Sequence, residues 1–262
     1  MKFEVIDAHV HPFLPGCGKN IGRFGIPENT EQFFDGLRKT GVSMCCGSLV
    51  GIFETLDFET LNKFNLAALE AREKYPDFYV PGIHVHGGYP EESCRMLRDF
   101  HQAGVRWIGE MVKYIMPTED YDSCGMMKIW ETAEELGMTA NLHVSGADLP
   151  QLENIVRAFP GLNVVLAHPG DGAEYVSRRN LVKKYSNLHL DISGTGLFRW
   201  GMLRNAVDTL GAEKVLYGSD FPVCSSGMNL QGALSEPLTD EEFRLVLAGN
   251  FRRLTGIGGF FG

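Results

Sequence analysis

Six side chains able to hold a divalent metal each close a short apolar run: His9 and His11 in VIDAHVH, Glu110 in WIGEMV, His143 in TANLHV, His168 in VVLAHPG and Asp220 in YGSDFP. Imidazole and carboxylate together suit zinc first, and also manganese, iron or nickel. His9 and His11 are two residues apart, so on a strand both face one way and can grip one ion. Asp7 shares their parity one step deeper, where a carboxylate that orients an imidazole would stand. Singly these residues say little, because a lone histidine on a strand is most often a core or rim residue. Their weight lies in recurring at the same end of separate predicted strands.

The elements that must position them follow from periodicity. Eight stretches rich in apolar, β-branched or aromatic residues recur: EVIDAH, SMCCGSLV, FYVPGIHV, RWIGEMV, MTANLHV, NVVLAHP, NLHLDIS and KVLYGSDFP. Between them lie segments with apolar residues at i, i+3, i+4 spacing, such as TEQFFDGLRKTG and PEESCRMLRDFHQAG, several ending on glycine as helix C-caps do. TDEEFRLVLAGNFRRLTG supplies a final helix, with Thr239 as N-cap and Glu242 as its capping-box partner. Strands alternating with helices predict parallel pairing, and eight such units predict a closed (β/α)8 TIM barrel, an α/β fold spanning residues 1–262 as a single domain. In that fold active sites gather at the C-terminal ends of the strands, where the six side chains fall.

Length and composition agree. The chain has 262 residues, 44% hydrophobic and 22% charged, as in ordinary globular proteins. No apolar run is long enough to span a membrane, and the N-terminal residues enter a strand with no signal-peptide pattern. The six cysteines form no CxxC pair, and adjacent Cys45 and Cys46 read as buried thiols in a strand, so a reduced, cytoplasmic protein is expected. A net charge of −9 disfavours nucleic acid as a partner. The short basic pairs, Arg178-Arg179 among them, read as solvated helix faces. A small-molecule substrate is the partner expected; assembly into a homo-oligomer leaves no sequence signal.

The succession VIDAHVH, GEM, LHVSG, LAHPG, YGSDFP and LTDEEFRLVLAGNFRRLTG resembles the amidohydrolase superfamily, and within it the amidohydrolase-related (ACMSD-like) branch. That resemblance implies metal-dependent hydrolysis, with His9, His11 and Asp220 holding a first metal and His143 and His168 facing a second. Glu110 departs from the branch's decarboxylases, which hold one zinc without a carboxylate on the fourth strand. GEMVKY is instead similar to the segment of TatD-type hydrolases whose glutamate bridges two metals. A carboxylated Lys113 in that role is disfavoured, since its strand parity opposes that of Glu110.

The chemistry expected is attack by a hydroxide, formed when a metal lowers the pKa of bound water from near 16 to roughly 7, on an amide, lactone or ester. Asp220 and His168 are the catalytic candidates, Asp220 as the group that takes the water's proton and passes it to the leaving group. Decarboxylation or hydration with one zinc, TatD-like phosphodiester cleavage and a non-catalytic metal-binding barrel are the rivals. His84 and His86 in GIHVHGG, Lys113, and Arg199 after the seventh strand are candidates for substrate binding, Arg199 through a bidentate carboxylate contact. His189 and Asp191 share a strand face, which makes Asp191 a candidate supporting carboxylate. Residues 12–29, rich in glycine and proline, read as a lid or pocket wall.

Overall fold

A computed structural model describes residues 2–14, 16–17, 21–197 and 199–258. Parallel strands β1 (Ile6–Asp7), β2 (Met44–Ser48), β3 (Tyr79–Ile83), β4 (Trp107–Met111), β5 (Thr139–Leu142), β6 (Asn163–Leu166), β7 (Leu188–Asp191) and β8 (Val215–Leu216) lie side by side in chain order. The ring closes between its first and last members. Ala8 N–H donates to the Tyr217 carbonyl at 3.0 Å, Asp220 N–H to that of His9 at 2.9 Å and His11 N–H to that of Phe221 at 2.8 Å. The fold is a single-domain TIM barrel, as the alternation of strand and helix periods predicts.

Helices α1 (Thr30–Thr40), α2 (Phe58–Lys74), α3 (Pro90–Gln102), α4 (Cys124–Glu135), α5 (Leu149–Ala158), α6 (Gly172–Lys184) and α7 (Met202–Leu210) follow the first seven strands. Short polar side chains start several of them. Asn29, Asp57 and Ser123 each accept a backbone N–H of the first turn, satisfying donors the helix cannot pair internally. After β8 comes α8 (Ser226–Leu234), whose sequence SGMNLQGAL has too many weak helix formers to announce itself. The expected final helix is divided into α9 (Asp240–Arg244) and α10 (Asn250–Thr255) by a π-helical stretch, Leu245–Gly249. There the Val246 carbonyl accepts the Tyr217 N–H at 2.8 Å, which ties the stretch to the end of β8. The capping box of Thr239 and Glu242 is present as expected.

Two apolar layers hold the barrel. Ile6, Ala8, Cys46, Val80, Trp107, Val165 and Leu216 fill its interior with Phe251 and Leu254 of α10. The Leu254 carbonyl accepts the hydroxyl of Thr139, the first residue of β5, so α10 plugs the N-terminal end of the strands. A larger cluster packs the helices on the outer strand faces. Each fully buried Leu, Ile or Phe contributes roughly 1.5–3 kcal/mol. With one end stoppered by apolar residues, the polar side chains pointing inward collect at the other. All six cysteines are free, Cys45 and Cys46 buried in β2. Among the described residues no helix is long and apolar enough to cross a membrane. Of the expected lid segment 12–29, Pro15 and residues 18–20 lie outside the described residues.

Candidate metal centre

Glu110, near the end of β4, occupies the middle of the mouth and is 4% exposed. Its Oε2 lies 3.3 Å from His9 Nε2 and 3.2 Å from His11 Nε2. Its Oε1 lies 3.0 Å from His143 Nδ1 and 3.2 Å from His168 Nε2. Asp220 Oδ1 stands 3.8 Å from His9 Nε2 and 3.6 Å from His11 Nε2. All six residues singled out in the sequence are thus brought together. They form two groups whose ligand atoms lie within 4.8 Å of one another: His9, His11 and Asp220, and Glu110, His143 and His168.

Backbone geometry is bent to achieve this. His168 and Asp220 are the non-glycine residues with positive φ among those described, at 64° and 63°. Side chains other than glycine rarely adopt that conformation, and it clusters at functional sites. Gly218 makes room: a Cβ there would stand 2.6 Å from the Cβ of His9.

The hydrogen bonds behind the rings decide which nitrogens face the centre. His11 Nδ1 lies 3.1 Å from the Ser48 carbonyl, which can only accept, so Nδ1 carries the proton. His9 Nδ1 donates in the same way to Asp191 Oδ2 at 2.9 Å. Both Nε2 lone pairs then point at carboxylate oxygens, and His9 Nε2 is a buried atom without a hydrogen-bond partner among the described residues. Lone pairs set 3.2–3.3 Å from a carboxylate repel unless a cation lies between them. Donors on one tetrahedral zinc, at about 2.0–2.2 Å from it, stand roughly 3.4 Å apart. The residues fit a bound divalent metal. The centre attracts positive charge, a proton on an imidazole or a metal in its place: burial alone would raise the Glu110 pKa, yet the surrounding imidazoles hold it well below the usual carboxylate value. Burial would lower that of His9, but Glu110 and Asp191 raise it well above the ordinary imidazole value.

Asp191, at the end of β7, supplies the orienting carboxylate expected of Asp7. Asp7 instead accepts the backbone N–H groups of Ser219 at 2.9 Å and His9 at 3.3 Å, tying β1 to the loop after β8. The expected substrate-binding residues are largely engaged elsewhere. Lys113 Nζ donates to Asp148 at 2.9 Å, Asp120 at 3.0 Å and Gln151 at 3.2 Å, which accounts for its three donors. Arg199 forms a fork with Asp171, the N-cap of α6, with Nη2 at 2.7 Å. His86 accepts the Gly88 N–H at 3.0 Å and faces Glu119 at 3.3 Å. His84 lies near His11 and Glu110, donates through Nε2 to the Leu49 carbonyl at 2.7 Å, and is kept neutral by burial, its pKa lowered to about 4.

Arg178 is the residue the sequence hid. It is 4% exposed, far from the solvated face expected of it. Its guanidinium donates to the carbonyls of Val144 at 2.6 Å, Ala167 at 2.8 Å and His168 at 2.6 Å, binding the ends of β5 and β6 together. Only its spacing of four residues from Glu174, its partner at 2.5 Å, is visible in the sequence.

Fold and site together define a metal-competent (β/α)8 barrel whose ligands come from the ends of several strands. The amidohydrolase family model matches residues 6–257, and the chain belongs to that family. No curated protein sequence matches it. Among solved structures it is similar to the 5-carboxyvanillate decarboxylase of Sphingomonas paucimobilis, at 15% identity and a TM-score of 0.74 over 97% of this chain and 99% of that one. It is also similar to a dihydroxybenzoic acid decarboxylase of Polaromonas with bound manganese, at 17% identity and a TM-score of 0.74 over 98% of each chain. A third is the probable 2-pyrone-4,6-dicarboxylic acid hydrolase of Acinetobacter baumannii, at 18% identity and a TM-score of 0.68 over 97% of this chain and 100% of that one. At these identities the likeness is one of fold.

Proposed function

We propose that this chain is a two-metal hydrolase of small organic molecules bearing an amide, lactone or ester bond. The observation that carries the reading is the division of Glu110, one oxygen toward the His9/His11 pair and the other toward His143/His168. A single-metal site has no need of a buried carboxylate shared between two imidazole pairs. His9, His11 and Asp220 would hold one divalent ion and His143 and His168 the other, with Glu110 between. Zinc suits the donors first, and manganese, iron or nickel fit the same set. Bound there, such ions supply Lewis acidity that polarises a carbonyl and makes water acidic enough to react at neutral pH.

The chain's own residues divide the remaining work. Glu110 is closed off, with 4% of its side chain exposed, whereas Asp220 keeps 12% and faces the open mouth. Asp220 is therefore the carboxylate placed to take a proton from the attacking water and hand it to the leaving group. Phe24, Ile52, Tyr114 and Trp200, on four different βα loops, are large apolar side chains left exposed, which suits an organic substrate with apolar faces. Carbon–carbon cleavage is the second reading, favoured by the decarboxylase names among the structural neighbours.

A panel of lactones, esters, amides and aromatic carboxylates given to the metal-loaded protein separates the two, by acid release against carbon dioxide release. Hydrolysis that falls at least 100-fold in Asp220→Asn, with the melting temperature unchanged, is the expected result. Carbon dioxide release without hydrolysis would replace this reading with the lyase.

A further inference from the structure

Ser193, just past β7, is fully buried, and its hydroxyl lies among three groups. Its Oγ is 2.5 Å from Asp191 Oδ1, 2.9 Å from His168 Nδ1 and 3.0 Å from His9 Nδ1. We propose that Ser193 is a positioning residue that fixes the tautomer of His168 and, sharing Asp191 with His9, couples the two metal-binding groups. This rests on the two-metal reading above.

The proton count settles the direction of each bond. Asp191 Oδ1 accepts the backbone N–H of His168 at 3.0 Å and of Ser193 at 3.1 Å, and Oδ2 accepts the Asn141 amide at 2.9 Å. Three amide donors converge on this carboxylate, which makes it an acceptor. The single proton of the Ser193 hydroxyl goes to it along the shortest of the three contacts. Only lone pairs are left on Oγ to meet the two imidazoles, so both must present Nδ1–H. His9 and His168 thereby keep Nε2 unprotonated, aimed at opposite oxygens of Glu110. Gly194 allows the approach: its φ is 60°, and a Cβ there would stand 2.5 Å from His168 Nδ1. His9, His168 and Asp191 also lie within ligand distance of one another, but the Ser193 hydroxyl already occupies their common centre.

The two histidines do not depend on Ser193 equally. His9 Nδ1 also has Asp191 Oδ2 at 2.9 Å, whereas His168 Nδ1 bonds to the Ser193 hydroxyl at 2.9 Å. Removing the hydroxyl should therefore loosen the second metal more than the first.

The test uses the zinc-loaded full chain with 15N-labelled histidine. One-bond N–H signals are expected on Nδ1 of both His9 and His168 in the wild type. In Ser193→Ala the His168 signal is lost to exchange and the His9 signal stays. Chelator competition should show the second zinc bound on the order of 10–100-fold more weakly in Ser193→Ala, the first by less than that, and recovery in Ser193→Thr. An unprotonated His168 Nδ1 in the wild type overturns the assignment. So does an alanine variant that melts lower but keeps both affinities in their original ratio. A wild type that binds one zinc ends the two-metal reading, while the N–H signals still report separately whether Ser193 fixes the tautomers.

Discussion

His189 offers a perturbation whose size can be worked out. It lies on β7 opposite Val165, is 3% exposed, and neither ring nitrogen has a hydrogen-bond partner among the described residues. Burial first, then the nearby Lys214 and Arg253, lower its pKa from 6.5 to about 3, against the smaller opposing effect of the Glu213 carbonyl, which lies near the ring but outside hydrogen-bond geometry. The folded chain thus refuses a proton that the unfolded chain accepts below about 6.5, so stability falls as pH falls through that value. One pKa unit corresponds to about 1.36 kcal/mol, so at pH 5 the loss is about 1.5 units, or about 2 kcal/mol. His189→Leu puts an apolar side chain in the same buried place and removes the titration. Urea unfolding followed by tryptophan fluorescence between pH 7.5 and 5 should show the wild type losing about 2 kcal/mol more than the variant. At pH 7.5 the variant should be no less stable, because it also removes a buried polar group left unpaired. Metal release in acid and the titration of Asp7 are common to both proteins and cancel in the difference. Parallel curves would refute the reasoning.

Other perturbations probe the scaffold of the centre. Gly218→Ala places a Cβ 2.6 Å from that of His9, so it should cost the first metal at least tenfold in affinity, with the far-ultraviolet circular dichroism unchanged. Metal titration checks it, and wild-type affinity would show that the loop yields. Arg178→Met leaves three carbonyls at the ends of β5 and β6 without their donor and should destabilise the protein by on the order of 3 kcal/mol in urea unfolding. A change below about 1 kcal/mol would mean that water replaces the guanidinium.

The sequence made the ring of ligands legible because strand ends are a simple code. Apolar runs mark the strands, and a histidine or carboxylate closing such a run has to stand at the mouth. His9, His11, Glu110, His143, His168 and Asp220 were all readable in that way. What stands behind them was not. Asp191 could be suspected from its shared face with His189, but Ser193 and Asn141 are ordinary polar residues until the barrel brings them to the same carboxylate. Arg178 sits in a basic pair on a helix of mixed pattern, where only tertiary packing turns it inward. Asp7 shows the limit of strand parity: the regular register of β1 with β2 covers Ile6 and Asp7, and beyond it the chain bonds alternately to Cys46 of β2 and to the loop after β8. Lys113, His86 and Arg199 have the chemistry and position of substrate-binding residues, yet neighbouring protein groups engage each of them.

Metal content bears most directly on the central claim that Glu110 joins two sites. Elemental analysis of the wild type, loaded with zinc and freed of excess, should give about two ions per chain. Glu110→Gln keeps the shape but removes the charge that two neighbouring cations require, and should give about one, held by His9, His11 and Asp220. A wild type that saturates at one ion, with Glu110→Gln indistinguishable from it, would contradict the account.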